Sequence, residues 1–374
     1  MSFKIFLSPP QMGKNEQKYV DEAFKSNYIA PLGEFVNRFE KDAMDYTKSP
    51  NALALNSGTS ALHLALRVSG IKRGDYILAS SFTFIGSIDA IIYEGANPIF
   101  IDSDEDSWNL CPKLLEEALD TLKTQGISPK ALIVTHLYGQ CAKLDEISEI
   151  CKKYNVLLIE DAAESLGAFY KDTHTGTIGE FGALSFNGNK IITTSGGGML
   201  LGKNEILMQK ARFYSTQARE NLAYYEHKDY GYNYRLSNIC AAIGVGQLEE
   251  IETKVQKRRE IFSLYKEALK GLEVEFMPEL KDTRGNRWLT TLSFKNSKIS
   301  PLSLVDFLAK YGIESRPLWK PMHMQPLFKD SISFVNGVSE NLFKSGICLP
   351  SGGALQVSDI EEICSYILEF VKRA

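Results

Sequence analysis

The amino-acid sequence predicts an α/β fold: a large domain built on a mostly parallel sheet, followed by a smaller α+β region. Three observations carry this. Apolar runs of strand length alternate with amphipathic helical segments from Leu53 to Leu201. The runs are nearly continuous in apolar residues, as strands buried on both faces are. The alternation then stops, and an irregular aromatic stretch leads into a long helical pattern of different texture. At 374 residues the chain exceeds one ordinary core, so two domains are expected, 1–250 (with an N-terminal arm) and 251–374.

Taken in order, an arm precedes a helix over Asn15–Ser26, where Tyr19, Val20, Ala23 and Phe24 share helical spacing and Asn27–Gly33 breaks it. A second amphipathic helix covers Phe35–Tyr46 and ends before Ser49-Pro50. Strands are expected at Leu53–Leu55, Tyr76–Ser80, Pro98–Asp102, Ala131–Thr135, Val156–Glu160, Ala183–Phe186 and Met199–Leu201. Helices over Ala61–Val68, about Gly86–Glu94, Pro112–Lys123 and Leu144–Tyr154 separate the earlier strands, the pattern of βαβ units. Gln217–Ser237 is polar and crowded with tyrosines, namely Tyr224, Tyr225, Tyr230, Tyr232 and Tyr234. One long helix over Ile239–Leu269, a strand at Trp288–Phe294 and helices at Ser303–Tyr311 and Ser358–Val371 complete the expectation.

Composition narrows the function classes. A 44% hydrophobic and 24% charged chain is that of a soluble globular protein. No apolar run has the length of a membrane helix, and no secretory h-region precedes Pro9-Pro10, so no membrane association is expected. The six cysteines are scattered without a C-x-x-C pair, which speaks against metal binding and a disulfide framework and fits a cytoplasmic location. A net charge of −4 leaves no basic footprint for nucleic acid. The basic cluster Lys254, Lys257, Arg258 and Arg259 reads as a solvated helix face.

The residues that can carry chemistry lie at strand ends. Lys190 stands in Ser185–Gly198 among small and polar residues, either as a solvated charge or as a Schiff-base lysine. Gly196–Gly198 are expected to turn the chain tightly beside it. Asn56–Ser60 joins a strand to a helix, a place where free backbone N–H groups bind an anion or where Ser57 or Thr59 merely caps the helix. It is neither a Walker loop nor a dinucleotide fingerprint. Asp161 closes a strand, where it serves a ligand or caps a helix. Phe82 and Phe84 follow another strand end, suited to stacking on a planar ring or to core packing. His63 and His136 read as satisfied histidines, whereas His323 sits in a Pro- and aromatic-rich loop, Arg316–Gln325, suited to a charged, partly planar ligand. Together a lysine, a strand-end aspartate, an aromatic and an anion site match what pyridoxal phosphate requires.

The motifs Asn56-Ser57-Gly58-Thr59-Ser60-Ala61-Leu62-His63, Ser81-Phe82-Thr83-Phe84, Glu160-Asp161-Ala162-Ala163-Glu164-Ser165, Ser185–Lys190 and Gly231-Tyr232-Asn233-Tyr234-Arg235 resemble the DegT/DnrJ/EryC1/StrS nucleotide-sugar aminotransferases over essentially the whole chain. Tyr28–Gly33, Phe186–Lys190 and Arg316–Lys320 resemble most the members that act in bacillosamine biosynthesis for protein glycosylation. The resemblance implies an aspartate aminotransferase-like fold (fold type I) with a large mixed sheet. It implies pyridoxal 5′-phosphate as cofactor, with pyridoxamine phosphate formed in turnover. It implies L-glutamate as donor, a UDP-linked 4-keto sugar as acceptor, and a homodimer with active sites at the interface. By position, Lys190 is the Schiff-base lysine and Asp161 pairs with the pyridinium nitrogen. Phe84 stacks on the ring. Gly58, Thr59, Ser60 and Ser185 hold the phosphate, with Asn233 reaching it from the neighbouring subunit. Glu164 stands where many members carry glutamine or histidine near the cofactor's 3-hydroxyl. Asn27, Tyr28, Ile29, Ala30, Arg316, Pro317, Leu318 and Trp319 line the sugar-nucleotide site, to which His323 is added. Relatives that are sugar 3-dehydratases replace the lysine with histidine, so Lys190 speaks for transamination. A non-catalytic cofactor-binding regulator, a dTDP- or 3-keto-specific aminotransferase and, remotely, a nicotinamide dehydrogenase are the competing readings.

Overall fold

The structure, a computed structural model, describes residues 3–373. Its centre is an eight-stranded sheet formed by β1 (Asn51–Leu55), β2 (Tyr76–Ser80), β3 (Asn97–Ile101), β4 (Ala131–Thr135), β5 (Leu157–Asp161), β6 (Phe181–Ser185), β7 (Gly198–Gly202) and β8 (Ser333–Phe334). The spatial order is β1-β7-β6-β5-β4-β2-β3-β8. Only β7 is antiparallel to its neighbours, so all the other strands run one way and present their carboxyl ends along one edge. The central strands are buried over almost their whole length, which explains their continuous apolar character.

Helices cover both faces. Gly58–Val68, Ile85–Tyr93 and Glu205–Ser215 pack with Leu53, Ala79, Ile133 and Phe181 in one core. Pro112–Thr124 and Leu144–Tyr154 bury Leu115, Leu119, Ile147 and Cys151 in another. A four-stranded sheet follows later in the chain, ordered Val274–Phe276, Thr290–Phe294, Gly346–Leu349 and Arg316–Pro317. Among the described residues no helix is long and apolar enough to cross a membrane.

Two expectations need correction. The helix expected over Ile239–Leu269 is two, Asn238–Glu249 and Ile251–Ala268, because Glu250 leaves helical geometry (φ −108°, ψ 11°). The basic cluster is not a solvated face. Lys254 and Arg258 are buried, with Lys254 Nζ donating to the Gln11 carbonyl (2.8 Å) and Arg258 turned toward Ser8 and Trp288. Sequence periodicity could not show this, because the covering surface is the N-terminal arm.

The chain bends at Ser195, which takes the left-handed conformation (φ 72°), and at Gly196. Gly198 begins β7 between Leu55 and Ser185, and a Cβ there would lie 2.2 Å from the Ser57 carbonyl carbon. Its missing side chain lets β7 pass against the start of the Gly58–Val68 helix.

Candidate active site

The shared strand direction gathers the chemistry at one edge. Ser57 follows β1, Ser185 ends β6, Asp161 ends β5, and Phe84 lies just past β2. A cavity of about 1110 Å³ opens there, lined among others by Gly58, Thr59, Phe84, Asp161, Glu164, Ser185, Lys190 and Trp288. The carboxyl edge of an open α/β sheet is where such a cavity belongs.

The Asn56–Ser60 junction both caps a helix and forms cavity wall. The Ser57 hydroxyl accepts the Ser60 N–H at 3.0 Å, closing the Gly58–Val68 helix. Gly58 and Thr59 remain on the cavity wall, in the first turn where backbone N–H groups lack helical partners. Ser60 does not line the cavity, since its hydroxyl is engaged by Asn56 (2.6 Å) and Ser57 (2.8 Å).

Asp161 is buried with its carboxylate held from two sides. One oxygen accepts the Ala163 N–H (3.1 Å) and the other accepts the Ser87 hydroxyl. Behind Ser87 runs a hydroxyl chain: Thr83 lies 3.0 Å from Ser87 and 2.9 Å from Thr135. Strand alternation sends Glu160 to the opposite face. There it accepts from the Ile178 N–H (2.7 Å), the Gly179 N–H (2.6 Å) and His136 Nε2 (2.9 Å). His136 Nδ1 takes the Ala142 N–H, which fixes Nε2 as the protonated nitrogen. His63 Nδ1 pairs with the Tyr234 hydroxyl at 3.1 Å, and its Nε2 lies 3.0 Å from a Glu94 oxygen.

Lys190 follows β6 on a short turn, and its side chain is only 11% exposed. The ammonium lies 3.4 Å from Glu164 Oε1 and 4.2 Å from the centre of the Trp288 ring. Glu164 Oε2 accepts the Tyr138 N–H at 2.6 Å. Burial pushes the Glu164 carboxyl up to about 7, with Lys190 pulling it down and Asp161 pushing it further up.

This group has a consequence for stability. Its folded pKa lies above the unfolded value, so between the two the folded state binds more protons. The contribution is complete below the unfolded value and is lost as pH rises through about 7. Glu164→Gln removes that titration. Urea unfolding of cofactor-free protein at about pH 5 and about pH 8 should show wild type losing on the order of 3 kcal/mol more than the variant. Identical pH slopes in both proteins would refute this.

Phe84 is 56% exposed at the cavity wall, its ring 5.6 Å from that of Trp319. Arg316, Pro317, Leu318 and Trp319 all line the cavity, with Arg316 paired to Glu314 at 3.0 Å. The other expected residues lie elsewhere. Asn27–Ala30 are outside this cavity; Tyr28 instead borders a second one of about 670 Å³, with Arg38, Arg212 and Arg235. Asn233 is exposed beside the wall, its carbonyl accepting from Asn56 at 3.2 Å. His323 is held by Ser81 (2.6 Å) and Glu340 (3.4 Å) and lines no part of the cavity. Sequence reading overlooked Ser87, Trp288 and the arm segment Phe6–Pro10, all on the cavity wall. Ser87 was legible as the i+4 partner of Thr83 near a strand end. Trp288 carried no signal beyond its aromaticity.

The donor set fits pyridoxal 5′-phosphate. An amine, a strand-end carboxylate and a helix start face one cavity. Gly86 keeps it clear beside Thr59, where a Cβ would come within 3.0 Å of Thr59 Oγ1.

Comparison with known proteins agrees. The sequence profile of the DegT/DnrJ/EryC1/StrS aminotransferase family matches residues 10–368. EpsN of Bacillus subtilis (strain 168) is 51% identical over 98% of this chain and 96% of its own. GDP-perosamine synthase of Escherichia coli O157:H7 is 35% identical over 96% of this chain and 97% of its own. The crystal structure of a DegT DnrJ EryC1 StrS aminotransferase from Brucella abortus superposes with a TM-score of 0.89 at 28% identity, covering 95% of each chain. The chain belongs to the DegT/DnrJ/EryC1/StrS family and is a pyridoxal phosphate-dependent sugar aminotransferase.

Proposed function

We propose that this enzyme moves the amino group of L-glutamate to C4 of a UDP-linked 4-keto-6-deoxy-N-acetylhexosamine, giving a UDP-4-amino-4,6-dideoxy-N-acetylglucosamine of the bacillosamine type. The observation that carries the reaction class is Lys190 facing the same cavity as Asp161 and the Gly58–Thr59 helix start. The narrower substrate rests on the resemblance of Tyr28–Gly33, Phe186–Lys190 and Arg316–Lys320.

Bound pyridoxal 5′-phosphate supplies an aldehyde that condenses with amines and a ring that draws electrons from the neighbouring carbon. Lys190 provides the amine that holds it. Its free Nζ would move a proton from Cα of glutamate to the cofactor and, in the second half-reaction, from the cofactor to C4 of the sugar. The Asp161 carboxylate keeps a proton on the ring nitrogen, and Ser87 aims that carboxylate. The Gly58–Thr59 helix start and the Ser185 hydroxyl bind the phosphate. Phe84 would pack on the ring, and Leu318 and Trp319, on the same cavity wall, would exclude water. The Arg316 guanidinium suits the nucleotide's diphosphate.

A homodimer belongs to this reading. Asn233 and Asn27–Ala30 lie outside the cavity of their own chain, and a second subunit brings them to it. Phe24, Tyr28, Ile29, Leu32 and Tyr93 are exposed, as residues awaiting a partner are. A cytoplasmic location fits this substrate.

The GDP-perosamine synthase likeness favours a second reading, a GDP-linked acceptor. Glutamate and a panel of UDP-, GDP- and dTDP-linked 4-keto and 3-keto sugars separate the two. The expected result is an amino sugar from the UDP-linked 4-keto N-acetyl sugar, with one 2-oxoglutarate released per turnover. Preference for a GDP, dTDP or 3-keto substrate would overturn the narrow assignment.

A further inference from the structure

Arg258 is fully buried, and among the described residues no carboxylate pairs with it; burial alone pulls its guanidinium down to about 10. A buried, unpaired cation is costly and persists where its hydrogen bonds fix something. Arg258 Nη1 donates to the Trp288 carbonyl (2.8 Å) and Nη2 to the Ser8 hydroxyl (3.0 Å). Ser8 in turn donates to the Asn189 carbonyl (2.7 Å), and the Trp288 indole N–H donates to the same oxygen (2.6 Å). The circuit closes on the peptide that immediately precedes Lys190. It joins four stretches far apart in sequence: the arm, the lysine turn, the Ile251–Ala268 helix and the lead into the Thr290–Phe294 strand.

Trp288 meets Lys190 a second time. Its ring lies under the Lys190 ammonium at 4.2 Å, where the aromatic face attracts a cation. The ring has little freedom. Trp288 is 2% exposed, and the Tyr138 ring stacks near it at 6.4 Å. Its backbone N–H is held by Asn286 Oδ1 (2.8 Å), while Asn286 Nδ2 donates to the Glu164 carbonyl (2.7 Å).

We propose that Trp288 is a positioning residue for the Lys190 amine, its ring carrying the ammonium and its indole N–H, with Ser8 and Arg258, fixing the preceding peptide. The inference rests on Lys190 being the lysine that holds the cofactor. Geometry errors of about 1 Å at a reacting group cost up to about 100-fold in rate, which sets the scale of the effect.

The test compares cofactor-loaded wild type with Trp288→Phe, Trp288→Leu and Ser8→Ala. It reads kcat and KM for glutamate and the visible circular dichroism of the cofactor band, which reports how firmly the lysine-bound chromophore is held. Trp288→Leu, which loses ring and donor, should lower kcat by about 10- to 100-fold with KM little changed and weaken the visible dichroism. Trp288→Phe, which keeps a ring, should recover part of both. Wild-type kcat and dichroism in Trp288→Leu would overturn the proposal, as would equal losses in the Leu and Phe variants with unchanged dichroism. If Trp288→Leu does not fold, Trp288→Phe and Ser8→Ala decide. Each removes one donor to the Asn189 carbonyl, and unchanged kcat in both overturns the proposal. Lys190→Ala is the control for the underlying assignment: a phosphopyridoxyl group still fixed to the protein after borohydride reduction of that variant defeats the assignment independently of the circuit.

Discussion

Lys190→Ala abolishes amino transfer, lowering turnover by about 10⁴-fold or more, because the variant lacks both the amine that holds the cofactor and the group that moves the proton. The fold should survive. The side chain ends between Glu164 and the Trp288 ring without crossing the core, and removing it leaves a carboxyl that burial already holds near 7. Glu164 can therefore turn neutral at little cost, and the deletion leaves no stranded buried charge. Release of 2-oxoglutarate measures the rate, and far-UV circular dichroism with a thermal melt measures the fold. Near-normal turnover in a folded variant would end the assignment.

Asp161→Asn should cost about 10²- to 10³-fold in the glutamate half-reaction, the scale of losing one preorganised electrostatic partner. Asparagine preserves the volume and a contact with Ser87 but not the negative charge that holds a proton on the ring nitrogen. The buried site, with Ser87 donating to one oxygen and Ala163 to the other, offers no second carboxylate in the same position; Glu160 faces His136 across the sheet. Single-turnover absorbance changes after mixing with glutamate report this step. A loss below about tenfold would show that another group does the work.

What was legible in the sequence follows from what is local. The strands ending at Asp161 and Ser185 announce themselves as apolar runs, because a strand buried on both faces leaves no room for polar residues. Gly58 and its Ser/Thr neighbours mark a helix start for the same local reason. The small sheet was mostly invisible. Arg316–Pro317 is two residues long and owes its strand geometry to Ile347 and Cys348, far along the chain. The Arg258 circuit was hidden in the same way. A Lys254-Lys257-Arg258-Arg259 cluster looks solvated until the arm is laid over it. Asn27–Ala30 and Asn233 are recognisable as motif but lie outside their own chain's cavity, since the element we propose to complete the site is a second subunit. The division into 1–250 and 251–374 remains our proposal; β8 crossing back to the large sheet ties the later chain to the earlier one.

Lys190 is proposed as the amine that bonds the cofactor within this cavity. The most direct measurement is borohydride reduction of the pyridoxal phosphate-loaded enzyme, proteolysis and mass mapping of every lysine-containing peptide. The expected result is a single stoichiometric phosphopyridoxyl adduct on Lys190, lost when the enzyme is first converted with excess glutamate. An adduct on a different lysine, or none on the peptide carrying Lys190, would contradict it.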